Sequence, residues 1–213
     1  MKPASAVRIE RVSEVGSPAW RAAIAIYREV FPTWEREPES LLARRAKTGE
    51  YLLHAALGER GEVEGFLTLH ACPREGYALV TFVGVRPDRQ GQGIGSALFR
   101  QAMETFDLST GAPWLLVEAE DRAARLYGRL GMWKLDAPYS VPRYGSRDST
   151  PMHLLAYTKG DRPPTVAGEW LRRVIEHVYA HGYCLAPDDP RIAAELAAIP
   201  CPVPVLAWPP EEP

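Results

Sequence analysis

Three glycines, Gly91, Gly93 and Gly95, lie within five residues between an apolar run and a segment with helical spacing. The apolar run predicts a buried strand, and the segment after the glycines predicts a helix over residues 93–106. Because glycine has no Cβ, consecutive backbone N–H groups in such a loop can converge on one anion. The helix start adds unpaired N–H donors and a partial positive charge. Residues 90–96 are therefore predicted to form a pyrophosphate site built from backbone.

The net charge of the 213-residue chain is −2, which supplies no field that would attract nucleic acid. No stretch approaches the roughly 20 consecutive apolar residues of a membrane span, and the first residues lack the apolar segment of a secretory signal. The three cysteines are far apart, and His177 and His181 have no third ligand nearby, so no metal is expected. These features predict a cytoplasmic protein that binds neither nucleic acid nor a membrane.

The elements that must position the glycine loop are predicted from hydrophobic periodicity. Ser17 is a candidate cap for the first helix, and the turn at 58–61 predicts a hairpin. Antiparallel strands first and strand–helix alternation later predict an α/β fold, with a mixed, mostly antiparallel central sheet flanked by helices. Strands are predicted over residues 7–12, 51–57, 63–69, 77–85, 114–118 and 152–157, and helices over 18–31, 38–49, 93–106 and 121–130.

Residues 161–213 differ in composition from the rest and hold ten of the 20 prolines. Apolar residues at helical spacing predict a helix over 166–178 with Thr165 as its cap, and a second short helix is predicted over 191–199. Such a segment cannot build much core alone. We therefore predict a domain over 1–160 and a C-terminal helical, Pro-rich extension that packs on this domain or on a second subunit. A homodimer is expected because the apolar helix needs a partner surface.

Two segments resemble motifs of the GCN5-related N-acetyltransferases (GNATs). The coenzyme motif of that family reads Gln or Arg, two residues, Gly, one residue, then Gly or Ala, and Gln90, Gly93 and Gly95 match it. The second signature reads Asn, two residues, Ala, a Leu-Tyr pair, then Gly-Phe. This chain has Asp121 in place of the Asn and Met132 in place of the Phe.

The resemblance implies an enzyme that moves an acetyl or other acyl group from acyl-CoA to a primary amine by direct transfer in a ternary complex. The acceptor would be a small molecule or a peptide. Acetyl-CoA would enter an opening between the strands predicted over 77–85 and 114–118. The residues implied to bind it are Val83, Val85, Gln90, Gly91, Gln92, Gly93, Ile94, Gly95, Ser96, Asp121, Ala124 and Tyr127.

Acyl transfer requires an acid for the departing thiolate, a base for the amine and a donor for the oxyanion. The resemblance implies that Tyr127 is the acid, since a phenol of pKa about 10 donates more readily than a thiol of about 8.5. Core packing is the alternative role for this tyrosine. The backbone N–H of Val83 is the implied oxyanion donor. Many relatives carry a carboxylate base where this chain has Thr81, so Glu118 is the candidate base, and a water relay without a defined base stays open.

Acceptor recognition is implied to come from the connection between the first two helices. Trp34, Glu35 and Glu37 lie there, and either carboxylate could hold a cationic amine. The alternative is that both glutamates stabilise the positive end of a helix dipole. Tyr139 lies in a long polar connection, 134–150, which is predicted to cover the acceptor site.

Two other functions fit parts of the sequence. A non-catalytic acyl-CoA-binding regulatory domain would explain the missing carboxylate at Thr81 and the Asp at position 121. An NAD(P)-dependent oxidoreductase would use Gly91-x-Gly93-x-x-Ser96 as a dinucleotide motif, with Glu118 on the ribose. The antiparallel strands before the loop and the lack of a further βαβ unit count against this second function.

Overall fold

A computed structural model describes residues 7–210, so the ends of the two predicted domains, 1–6 and 211–213, lie outside the described residues. Packing divides the described chain into two units. The first comprises residues 7–71 and 79–111, and the second comprises residues 72–78 and 112–210. The boundary predicted at residue 160 follows composition along the sequence, and it stays a prediction.

The first unit has four neighbouring strands in the order β1-β2-β3-β4. Strand β1 pairs antiparallel with β2, and β2 pairs antiparallel with β3. The last residue of β3 and the first two residues of β4 belong to the second unit. The strands are β1 (Arg8–Val12), β2 (Tyr51–Leu57), β3 (Val63–Cys72) and β4 (Tyr77–Val85), and the helices are α1 (Pro18–Val30), α2 (Glu39–Lys47) and α3 (Ile94–Thr105).

Helix α1 begins as predicted, because the Ser17 side chain accepts a hydrogen bond of 3.2 Å from the Trp20 N–H. Its buried face carries Tyr27, which has no exposed surface. The Tyr27 ring packs edge-on against Phe82 of β4, with ring centroids 4.9 Å apart, and against Phe66 of β3 at 6.2 Å. These aromatic contacts hold α1 on the sheet and fix the strand that leads into the glycine loop.

In the second unit five strands follow the order β5-β9-β6-β11-β10, and each neighbouring pair among them is antiparallel. Strands β7 and β8 form a separate antiparallel pair. The strands are β5 (Trp114–Ala119), β6 (Trp133–Leu135), β7 (Ser140–Pro142), β8 (Ser149–Pro151), β9 (His153–Tyr157), β10 (Thr165–Val166) and β11 (Val203–Leu206), and the helices are α4 (Asp121–Arg129), α5 (Gly168–His177) and α6 (Pro190–Ala198).

The C-terminal extension packs within its own chain. Strand β11 pairs with β6, with Val205 opposite Leu135. On helix α5, Leu171, Val174 and Ile175 are each at most 1% exposed. The apolar helix face that motivated the predicted homodimer is therefore covered inside the second unit.

Two local predictions are wrong. Thr165 does not cap α5, because it lies in β10 opposite Pro204 of β11 and the helix begins after Ala167. The connection predicted over 134–150 contains the strand pair of β7 and β8. Each of these strands has only three residues, too few for hydrophobic alternation to reveal. None of the helices that the structure describes is both long and apolar enough to cross a membrane.

Candidate active site

The start of α3 leaves backbone N–H groups outside the helical hydrogen-bond ladder. The N-cap residue Gly93 has a left-handed φ of +85°, and no side chain caps the helix. The first helical bond runs from the Ala97 N–H to the Gly93 carbonyl at 3.0 Å. The N–H groups of Gly93, Ile94, Gly95 and Ser96 therefore have no partner within the helix. Together with the helix dipole, they form a site suited to an anion.

The loop before α3 is fixed against the end of β4. A short 3₁₀ turn at Pro87–Arg89 follows the strand, and Gly91 has a left-handed φ of +76°. The Gln90 side-chain amide donates to the Val85 carbonyl at 3.2 Å. This bond turns the glutamine side chain back onto β4 and holds the loop beside the helix start.

A close approach at Gly65 sets the position of α3. A Cβ at this residue would lie 2.9 Å from the Gly84 carbonyl oxygen, 3.1 Å from Leu98 and 3.2 Å from Ile94. Contacts this short would force the backbone of β4 or the helix to shift. The missing side chain therefore lets β3, β4 and the first turns of α3 pack together, which orients the exposed amides.

Strand β4 carries the residues predicted to contact the coenzyme and the residue that replaces the usual base. Val83 and Val85 are half-buried. The Thr81 hydroxyl lies 2.5 Å from the Thr68 hydroxyl and also reaches the Thr68 carbonyl at 3.3 Å. The Thr81 hydroxyl is therefore hydrogen-bonded to Thr68 of β3 within the sheet.

Helix α4 of the second unit carries Tyr127, which is 7% exposed. Ala124, one turn earlier, is fully buried. Asp121, in the first turn, is exposed, and its carboxylate lies 2.5 Å from Nε2 of His153. This hydrogen bond lowers the pKa of Asp121. The residue in the position of the family's Asn is thus an acidic group paired with a histidine 32 residues away, a pairing that was not predicted.

Glu118, near the end of β5, is held by two phenols. The Tyr139 hydroxyl donates to Oε1, and the Tyr183 hydroxyl donates to Oε2 at 2.8 Å. Burial raises the pKa of the Glu118 carboxyl, and the two hydrogen bonds partly offset that rise. Tyr139 is a predicted residue of the acceptor region, whereas Tyr183 is not among the predicted site residues. No local signal links Tyr183 to a residue 65 positions earlier.

The acidic residues predicted to recognise the acceptor differ in their surroundings. Glu37 is 1% exposed at its side chain and lies 2.6 Å from Nη1 of Arg45, and the Tyr51 hydroxyl donates to it at 3.0 Å. Burial raises the pKa of Glu37, and Arg45 opposes this rise. Trp34 and Glu35 are half-buried in the turn between α1 and α2. The charge of Glu37 is therefore balanced within the fold by Arg45.

Residues 20–132 match the model of a family described as the acetyltransferase (GNAT) family. A solved structure described as a GNAT-family acetyltransferase from Bacteroides thetaiotaomicron is 17% identical, with a TM-score of 0.66, over 84% of this chain and 99% of that one. NAA60 from Arabidopsis thaliana in complex with acetyl-CoA is 15% identical, with a TM-score of 0.58, over 72% of this chain and 98% of that one.

A phosphinothricin acetyltransferase from Sinorhizobium meliloti in complex with acetyl-CoA is 19% identical, with a TM-score of 0.56, over 74% of this chain and 92% of that one. Likenesses at this level of identity concern the fold. They confirm the predicted fold class, an α/β fold with a mixed sheet flanked by helices.

Proposed function

This chain belongs to the acetyltransferase (GNAT) family and is an acetyl-CoA-dependent N-acetyltransferase, and we propose that it acetylates a primary amine by direct transfer in a ternary complex. The observation that carries the proposal is the glycine-capped start of α3, in the loop that follows β4. There the family's coenzyme motif coincides with backbone N–H groups that have no helical partner. No metal is needed for this chemistry.

The residues of the first unit fit the coenzyme. The amides of Gly93, Ile94, Gly95 and Ser96 would hold the pyrophosphate, with residues 90–92 completing the loop. The backbone of Val83 and Val85 would pair with the pantetheine arm. The coenzyme itself supplies the acetyl thioester. The backbone N–H of Val83 would stabilise the oxyanion that forms on the thioester carbonyl.

Two side chains of the second unit would move protons. The Glu118 carboxylate would take a proton from the acceptor ammonium and pass it to solvent, which frees the nitrogen lone pair to attack the thioester carbonyl carbon. The Tyr127 hydroxyl would donate its proton to the sulfur as the carbon–sulfur bond breaks. The second proton of the acylated nitrogen would then return to the Tyr127 phenolate through solvent. A carboxyl whose pKa is raised by burial is a stronger base than an ordinary glutamate, which favours Glu118 for this role.

The acceptor is proposed to be a small molecule or a peptide that carries a primary amine. Trp34 and Glu35 are the candidates for contact with it in the first unit, and Tyr139 is the candidate in the second. The charge of Glu37 is balanced by Arg45, so Glu37 is not proposed to hold a cationic amine.

The proposal is tested by calorimetric titration with acetyl-CoA and with NAD, followed by thiol release over a panel of amines. We expect binding of acetyl-CoA, no binding of NAD and turnover with at least one primary amine. Binding without turnover on a broad panel would favour the non-catalytic acyl-CoA-binding domain. Binding of NAD alone would refute the assignment of the glycine loop.

A further inference from the structure

We propose that Tyr183 of the C-terminal extension is a positioning residue for Glu118, and that the extension thereby forms part of the catalytic machinery. This inference rests on the proposed function, in which Glu118 is the base. It gives the extension, which lies beyond the residues that match the family model, a role in the reaction.

The Glu118 carboxylate is held at both of its oxygens. Each of its oxygens accepts a hydrogen bond from a different phenol, Oε1 from Tyr139 and Oε2 from Tyr183 at 2.8 Å. Two donors on opposite oxygens fix the plane of the carboxylate, which a single donor would not do. A base must present its lone pair in one direction to the amine, so this arrangement prepares Glu118 for proton transfer.

The extension holds Tyr183 through its backbone and through its ring. The Tyr183 N–H donates to the Val178 carbonyl at 3.1 Å, which closes a π-helical turn that continues α5. Its ring lies 6.0 Å from the ring of Tyr179 and 5.5 Å from that of Tyr144. The Tyr144 hydroxyl donates to the Gly182 carbonyl at 2.8 Å. The π-helical bond holds the Tyr183 backbone, and the rings of Tyr144 and Tyr179 hold its side chain.

The backbone directly after Tyr183 is strained. Cys184 has a φ of +57°, a left-handed conformation that costs energy for any residue with a side chain. Such conformations persist where the surrounding structure requires them, and they are frequent at functional sites. The strained Cys184 allows the chain to leave the π-helical turn with Tyr183 directed at Glu118.

The titratable groups around Glu118 are the phenols of Tyr77, Tyr139, Tyr179 and Tyr183, and among the described residues no cation contributes to its pKa shift. A partly buried carboxylate without a cationic partner contributes little to the stability of a fold, because only neutral hydrogen-bond donors offset the free-energy cost of its desolvation. A role in proton transfer accounts for keeping it there.

The test compares Tyr183→Phe with the matched control Tyr144→Phe. Both remove one hydroxyl from neighbouring rings, but the Tyr144 hydroxyl donates to a backbone carbonyl and does not contact Glu118. Loss of a donor to the Glu118 carboxylate raises its pKa further. We expect the acidic limb of kcat/KM to move to higher pH in Tyr183→Phe, with KM for acetyl-CoA unchanged. The limb should stay in place in Tyr144→Phe. Equal movement in both variants, or none in either, would overturn the proposal.

A second measurement does not depend on turnover. The carboxyl carbons of ¹³C-labelled glutamate are titrated by NMR, and Glu118→Gln assigns the Glu118 signal. We expect a higher titration midpoint in Tyr183→Phe than in the unaltered protein, and an unchanged midpoint in Tyr144→Phe. An unchanged midpoint in Tyr183→Phe would overturn the contact itself.

The two measurements separate the two ideas. A raised midpoint with an unmoved acidic limb would mean that Tyr183 holds Glu118 but that Glu118 is not the base, which overturns the catalytic role of both. Absence of turnover on every amine would refute the proposed function, and the NMR midpoint would still decide whether Tyr183 holds the carboxylate.

Discussion

The Tyr183 hydroxyl donates a hydrogen bond of 2.8 Å to Oε2 of Glu118, which joins the C-terminal extension to the end of β5. The same carboxylate accepts a bond from Tyr139 on its other oxygen. Burial raises the pKa of this carboxyl, and the two hydrogen bonds partly offset the rise.

Glu118→Gln should remove the proposed base. We expect kcat to fall by about 10²–10⁴-fold, since that is the usual contribution of a positioned acid or base, and KM for acetyl-CoA to stay the same. Steady-state kinetics with the best amine measure both constants. Glu120→Gln is the matched control, because this exposed carboxylate lies two residues further along the chain. A similar kcat for the two variants would rule out Glu118 as the base.

The same substitution should change stability in a pH-dependent way. Because burial raises the pKa of Glu118, the folded state binds its proton more tightly than the unfolded state does. The free energy of unfolding of the unaltered protein therefore falls as pH rises through the folded pKa, whereas glutamine does not titrate. Urea denaturation should show that the free energy of unfolding of Glu118→Gln, relative to the unaltered protein, grows from pH 4 to pH 8. The growth should be about 1.4 kcal/mol for each pH unit by which the folded pKa exceeds the unfolded pKa. An advantage that is constant with pH would contradict this explanation.

Gly93→Ala should weaken coenzyme binding. At φ +85° an alanine is strained by about 1–2 kcal/mol, and the helix start relaxes away from the geometry that presents its amides. We expect the Kd of acetyl-CoA, measured by calorimetry, to rise about tenfold or more. Gly111→Ala is the control, because Gly111 has φ +66° and its Cβ would meet no atom within 4 Å. Gly111→Ala should lose comparable stability and keep its affinity for acetyl-CoA. Equal loss of affinity in both variants would argue against coenzyme binding by the backbone N–H groups at the start of α3.

Tyr127→Phe should slow the chemical step and leave the fold intact, since the ring keeps its buried position. The thiolate would then depart without a proton donor, and kcat should fall by about 10²-fold or more. KM for acetyl-CoA should change little. The thermal midpoint, recorded in parallel, should match that of the unaltered protein. Unchanged kcat would mean that Tyr127 only packs in the core.

Arg45→Ala should destabilise the first unit strongly. Removing this side chain leaves the buried Glu37 carboxylate without its cation, a change that typically costs about 3–5 kcal/mol. The control is Arg28→Ala, whose partner is Glu39 and whose side chain is 59% exposed. There we expect a loss of at most about 1 kcal/mol. Urea denaturation of both variants measures the two losses in the free energy of unfolding. Similar losses would show that burial of the Arg45–Glu37 pair does not increase its contribution to stability.

The glycine loop was predictable because all of its parts are contiguous. Residues 77–106 contain the buried strand, the glycines with left-handed backbone and the amphipathic helix in one stretch. Strand β4 and the beginning of α3 lie within one residue of their predicted positions. The Ser17 cap was recognised for the same reason, since its partner Trp20 is three residues away. Periodicity and capping report local backbone conformation, and these features depend on little else.

Only the tertiary structure decided which side chains meet. Glu37 and Glu118 look alike in the sequence, since Glu37 directly precedes a predicted helix and Glu118 ends a predicted strand. One is balanced by the buried Arg45, and the other is held by phenols, one of which arrives from 65 residues away. Thr165 looked like a helix cap and became a strand residue because Pro204 lies opposite it. Contacts between residues so far apart in the sequence depend on the packing of the whole unit. Local residue patterns do not predict that packing.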